Sequence, residues 1–197
     1  MPRVVPEYKE KAKDRITEAA LQVFARNGYH DATMDDIAER LGVSKGALYQ
    51  YFKSKEDLYR AILEVRFRKL TEMLPSAPEG GFGETCQAFF DNLSRDVSGL
   101  GLGFEIISEA SRNPALARVE RQSYLETSKM IEQCLRRSWK DGSPRSDVNF
   151  QLLAKGLIAF YNGLMVYLAV GIERSEVRKM FAEFLTTLQR GMLRQAA

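Results

Sequence analysis

The sequence predicts an all-α protein: a small N-terminal helical unit followed by a larger helical unit. Three observations predict it. Apolar residues recur at helical spacing along most of the chain, no stretch shows sustained strand-like alternation, and one proline- and glycine-rich segment, "PSAPEGGFG", interrupts the periodicity. That break sets the expected division, residues 1–75 against 76–197.

The first helix is expected from about Lys9 to Asn27, because Ile16, Ala20, Val23 and Phe24 fall on one face and Gly28 follows. Thr33 stands at an N-cap, with Asp35 and Asp36 in the first turn where the positive helix end favours them. That helix runs to about Leu41, and Gly42 supplies a turn. Ser44 caps a short helix expected over Lys45–Phe52, and Ser54 opens a longer one ending near Leu74. Beyond the break, helices are expected near 84–98, 103–112, 114–139, 147–171 and 175–193. The glycines of "GLGLG" follow no strand and lack GxGxxG spacing, so they are read as a flexible connector rather than a phosphate loop.

Composition narrows the chemistry. At 197 residues, with 45% hydrophobic and 28% charged side chains, this is an ordinary globular composition. A net charge of +3 and a pI near 8.8 require no polyanionic partner, so any basic footprint must be local. Cys86 and Cys134 form no CxxC pair, which fits reduced thiols and a cytoplasmic chain. His30 is the sole histidine, and there is no metal-ligand cluster or nucleophile motif; neither an enzyme nor a metal or cofactor site is expected. The segment "MPRVVPEYKEKAK" alternates charges and prolines, so no signal peptide is expected. The uncharged run Gly156–Ile172 is short for a membrane span and contains Asn162; a helix buried on several sides is expected instead.

The stretch "DDIAERLGVSKGALYQYFKSKEDL" carries the functional signal. Two helices crossing steeply need a small residue at the contact, a turn able to take positive φ, and an apolar anchor. Counting from Met34, Ala38, Gly42 and Leu48 fall at positions five, nine and fifteen and fill those roles, with Ile37, Leu41 and Val43 closing the core. Such a helix-turn-helix, about residues 34–53, presents its second helix to the DNA major groove. Ser44, Lys45, Gly46 and Ala47 then open a recognition helix whose small side chains allow close approach, with Lys45 reaching base edges or phosphate and the Ala47 methyl meeting a thymine methyl. Tyr49 and Tyr51 offer hydroxyls to phosphates, Lys53 and Lys55 add charge, and Thr33 offers a hydroxyl and a helix N-terminus. From Gly42 to Lys55 the lysines meet no acidic residue in the sequence.

Residues from about 11 to 60, with "ITEAALQVFARNGYHDAT" followed by "IAERLGVSKGALYQYFKSKEDL", resemble the DNA-binding domain of the tetracycline-repressor-like (TetR) family. The resemblance implies a homodimeric regulator, usually a repressor, whose C-terminal helices bind a small effector. By position, Thr33, Lys45, Tyr49 and Lys55 match places where relatives commonly touch DNA. Ala47 stands where relatives often carry threonine, so a hydroxyl contact is missing there.

In the second unit Val177, Met180, Phe181, Phe184, Leu185 and Leu188 form a helical stripe, and the preceding helix is apolar almost all round from Leu157 to Leu168. Two copies of each helix, packed as a four-helix bundle, would bury both, giving a homodimer. Phe89, Phe90, Leu93, Phe104, Ile107, Tyr124, Met130, Phe160, Tyr161, Leu164 and Met165 supply apolar and aromatic surface for a largely apolar effector, such as an acyl chain, its thioester, or a planar lipophilic compound. Glu105, Glu109, Arg112, Tyr124, Trp139 and Asn162 are the polar groups available to orient it. The alternative is a helical adaptor or membrane-associated protein without DNA binding, using the apolar run near Leu164.

Overall fold

The computed structural model describes residues 6–73, 81–94, 99–138 and 147–192, and among them every regular element is an α-helix. In order these are α1 (Pro6–Asn27), α2 (Met34–Leu41), α3 (Lys45–Tyr49), α4 (Lys55–Met73), α5 (Gly81–Leu93), α6 (Leu100–Ala110), α7 (Pro114–Ser138), α8 (Phe150–Ala169) and α9 (Arg174–Met192). The expected helix ends at 74, 98, 139 and 193, and the expected boundary at 75–76, lie outside the described residues.

Local chemistry sets the element ends. Gly28 stops α1 at a φ of 78°, a conformation that disfavours any Cβ. Asn113 caps α7: its Oδ1 accepts from the Ala115 and Leu116 N–H groups at 3.0 and 3.1 Å, and Pro114 takes the first helical position, where no N–H is needed. Asn149 does the same for α8, accepting from Leu152 N–H at 3.1 Å. α3 stops sooner than expected, at Tyr49, because the Tyr51 N–H bonds back to the Leu48 carbonyl at 3.0 Å and tightens the last turn.

The "GLGLG" segment is not a connector, since Gly101 and Gly103 lie inside α6. Helical glycine costs roughly 1 kcal/mol relative to alanine. Here Ile106 is buried and Leu102 packs against the same core, and burial of such a side chain contributes about 1.5–3 kcal/mol, enough to hold the helix.

The helices group into two compact units. The first takes in α1–α3, α4 through Leu70, α6 from Gly101 and α7 through Ser123. Its core joins Phe24, Tyr29, Ile37, Leu48 and Leu58 to Ile106, Leu116 and Val119, so α6 and the start of α7 are built into the same core as the helix-turn-helix. Tyr59 donates to Glu120 Oε1 at 2.6 Å and Asn113 donates to Glu56 Oε1 at 2.9 Å, tying α7 to α4.

In the second unit α9 packs on α5 and α8. Phe90 stacks on Phe181 at 4.7 Å and Phe160 on Phe184 at 4.0 Å between ring centroids. Arg178 donates to both Asp91 carboxylate oxygens at 2.8 and 3.0 Å, holding that carboxyl below its usual range. The stripe expected to meet a second copy is therefore divided. Leu157, Leu168, Val177, Phe181 and Leu185 are buried by the protomer itself and Leu188 is half-buried, with α9 packed on both α5 and α8. Met180 and Phe184 remain exposed.

α8 is long and apolar enough to cross a membrane by length and composition, with mean hydropathy 1.5. Its inward positions, Ala154, Leu157, Leu164, Met165 and Leu168, are buried within the protomer. Its outward face, continued by the cap residue Val170, is a different stripe: Leu152, Gly156, Ala159, Gly163, Val166 and Val170, all exposed and spaced alternately four and three residues apart.

Candidate nucleic-acid interface

The α2–α3 pair has the geometry that its residue types demand. Ile37 and Leu48 are completely buried and Ala38 nearly so, which lets the two helices approach closely. Gly42 adopts φ 69°, ψ 31°, and its N–H together with that of Val43 satisfies carbonyls at the end of α2, Val43 N–H reaching Ala38 O at 3.1 Å. Val43 itself is 43% exposed and so is not part of the small core. The left-handed turn places it outside, beside the start of α3.

Two hydroxyls cap the pair. Thr33 Oγ1 accepts from Asp36 N–H at 3.1 Å while Thr33 N–H donates to Asp36 Oδ2 at 2.8 Å, a reciprocal capping box. Hydrogen bonds to the carboxylate from the Thr33 side chain and from the Thr33 N–H hold the Asp36 carboxyl below its ordinary range. Ser44 Oγ accepts from Ala47 N–H at 3.2 Å. The Ser44 hydroxyl is used as an acceptor and so retains an O–H that can donate outward to a phosphate oxygen.

The outward surface of α3 is small and exposed. A Cβ on Gly46 would meet nothing within 4 Å, so no packing within the chain requires glycine there. Ala47 is half-buried beside it. Tyr49 and Tyr51 are half-buried with their rings against the core, and Phe52 is buried.

The three lysines differ. Lys45 Nζ lies 2.7 Å from Asp35 Oδ1 and 2.8 Å from Oδ2, and the hydrogen bond to Asp35 pushes its ammonium pKa up from the usual value. Lys53 Nζ donates to the Tyr49 carbonyl at 2.8 Å. Lys55 Nζ donates to the Tyr29 and His30 carbonyls, each at 2.8 Å, and sits 4.9 Å from the Tyr29 ring centroid. Lys55 thus bridges the α1–α2 loop to the start of α4, a role not visible from its neighbours in sequence. Asp35 and Val43 are the exposed neighbours of α3 that sequence reasoning left out. Asp35 was read only as a helix-end charge, and its pairing across ten positions has no periodic signal.

The effector candidates are divided between the two units. Phe104 and Ile107 belong to the first unit, and Ile107 is exposed. In the second unit Phe90, Met130, Leu164 and Met165 are buried, Phe160 and Tyr161 half-buried, and Tyr124 exposed. The side chains of Phe89 and Leu93, and Trp139, lie outside the described residues. Glu105 and Glu109 face the α1–α2 loop: Glu105 Oε1 accepts from His30 N–H at 3.0 Å, and Glu109 Oε2 lies 3.4 Å from His30 Nδ1.

Residues 16–62 match the family described as "Bacterial regulatory proteins, tetR family", and residues 83–190 match "BetI-type transcriptional repressor, C-terminal". The chain is 35% identical to the HTH-type transcriptional regulator YfiR of Bacillus subtilis over 131 residues, covering 64% of this chain and 62% of that protein. It is 27% identical to the HTH-type transcriptional regulator UidR of Escherichia coli K12 over 188 residues, covering 93% and 94% respectively. Among solved structures, Salmonella enterica GusR is similar with a TM-score of 0.78 and 26% identity, over 98% of this chain and 99% of that one. The match spans less than two thirds of YfiR and 66% of a second relative, YerO of Bacillus subtilis.

Proposed function

Because the chain belongs to the TetR family of bacterial regulatory proteins, we propose that it is a cytoplasmic transcriptional repressor that binds a two-fold DNA operator as a homodimer and leaves it when a largely apolar effector binds. The family is one of regulators rather than enzymes. The observation that carries the reading is the tip of α3: Gly46 is exposed with empty space around it, flanked by Ser44, Ala47 and Lys45. A smallness that nothing inside the chain requires is what close approach to a groove floor would require. Thr33, Ser44, Tyr49 and Tyr51 supply hydroxyls for phosphates, and Lys53 and Lys55 supply positive charge at the flank.

Dimerisation is carried by the exposed α8 stripe. Gly156, Ala159 and Gly163 allow a second helix to approach closely, while Leu152, Val166 and Val170 supply apolar area, joined by Met180 and Phe184 of α9. The match of residues 83–190 to a repressor C-terminal region supports the repressor assignment. The aromatic set Phe90, Phe160 and Tyr161 with Leu164 and Met165 favours an apolar effector, with an acyl chain or acyl thioester as the class that best fits.

Coupling follows from α6 and α7 sharing a core with the reading helices. A shift of either is felt directly by the 28–31 loop through Glu105 and by α4 through Glu120 and Asn113. Half-sites fix the separation of two recognition helices at about 34–36 Å or a multiple, so an effector preferring another arrangement releases the DNA. Selection of bound duplexes from a random pool tests this. An enriched palindrome, displaced on adding a long-chain acyl thioester, is expected; enrichment of no duplex would refute the reading, and a palindrome that no apolar compound displaces would refute the effector class.

A further inference from the structure

The capping-box hydrogen bonds of α2 are made by Thr33 and Asp36 rather than by Asp35. The reciprocal box at the start of α2 uses Asp36, whose carboxylate takes the Thr33 N–H, while Asp35 stays exposed and turns to Lys45, the first residue of α3. Both partners are 60% exposed by side chain, and such surface pairs add little to stability. The pair does change what the tip of α3 presents. The Lys53 and Lys55 ammonium groups donate to backbone carbonyls, whereas that of Lys45, at the tip of α3, is paired with a carboxylate.

Hydrogen-bonded to Asp35, the Lys45 ammonium still has an N–H donor to spare, and the carboxylate keeps lone pairs beside it. One donor next to one acceptor matches the guanine O6/N7 edge and the cytosine N4 amine of a G·C pair in the major groove. A phosphate drawn to Lys45 would also lie against the Asp35 carboxylate, which repels it. We infer that Asp35 is a positioning residue for base readout, holding Lys45 on base edges and off phosphates and so setting the protein's discrimination between operator and other DNA. The inference rests on the reading of α3 as the recognition helix.

A double-mutant cycle tests it on the full chain: wild type, Asp35→Asn, Lys45→Ala and the double variant. Each is titrated with a duplex that the wild type selects from a random pool and with a scrambled duplex, across a range of salt. Asp35→Asn is expected to bind the scrambled duplex more tightly and to lower the selected-to-scrambled ratio by about tenfold. Its salt slope on scrambled DNA should steepen by about 0.9 per protomer, as one freed lysine gains a phosphate. With Lys45→Ala in the background, Asp35→Asn should change the ratio less than about twofold. An equal effect of Asp35→Asn with and without Lys45 would mean bare charge repulsion and overturn the inference, as would an unchanged ratio in the single variant. Failure of the wild type to bind either duplex would instead overturn the assignment of α3 itself.

Discussion

Two glycines a few residues apart separate fold from function. A Cβ at Gly42 or at Gly46 would meet no atom within 4 Å, so alanine clashes with nothing at either place. They differ in backbone: Gly42 holds φ 69°, whereas Gly46 lies within α3. For Gly42→Ala the cost is the left-handed conformation alone, about 1–2 kcal/mol. At roughly 2–4 °C per kcal/mol for a chain of this length, the melting temperature should fall by about 2–8 °C. Gly42→Asn should lose less, since asparagine tolerates that region. Gly46→Ala should be neutral or stabilising by up to about 1 kcal/mol, because alanine favours helix, yet it should weaken duplex binding by placing a methyl on the surface that approaches the groove. Thermal and urea denaturation, with duplex titration of each folded variant, checks both halves. If Gly42→Ala melts with the wild type, or Gly46→Ala binds DNA unchanged, the assignment of turn and reading surface is wrong.

Tyr49→Phe should weaken selected and scrambled duplexes alike, because a phosphate contact carries no sequence information; loss confined to one base position in a binding titration would contradict that role. Asp36 has a depressed folded-state pKa from its bonds with Thr33, so its contribution is present above the ordinary aspartate value of about 4 and is lost as pH falls through the lower folded value. Asp36→Asn should accordingly show a flatter acid limb in urea midpoints below about pH 4 than the wild type does. Val170→Glu, at a position 70% exposed, should leave helicity by circular dichroism intact while shifting sedimentation from dimer to monomer. An unchanged dimer would remove α8 from the interface.

The helix-turn-helix was legible in the sequence because its constraints are local. The capping box at Thr33, the left-handed Gly42 and the buried Leu48 each follow from residue type within a few positions. What escaped were decisions made by distant partners. "GLGLG" is glycine-rich by local rules, yet Leu102 and Ile106 find a core in the first unit and the segment is helical. The α9 stripe looked unpartnered because nothing near it in sequence announces α5, on which α9 packs with Phe90 stacked against Phe181. The exposed stripe on α8 was hidden in a helix apolar on all sides, and only burial tells the inward Leu157 and Leu164 from the outward Leu152 and Val166. Lys55 follows the same logic: its place over Tyr29 and its bonds to the Tyr29 and His30 carbonyls have no signal in its sequence neighbours.

The entry of α3 into the major groove is tested most directly by methylation interference on a selected duplex, which reads guanine N7 in the major groove and adenine N3 in the minor groove in one experiment. Blocked binding at guanine N7 positions in two clusters, one helical turn or a multiple apart, is the expected result. Interference confined to adenine N3, or at a single cluster, would contradict it.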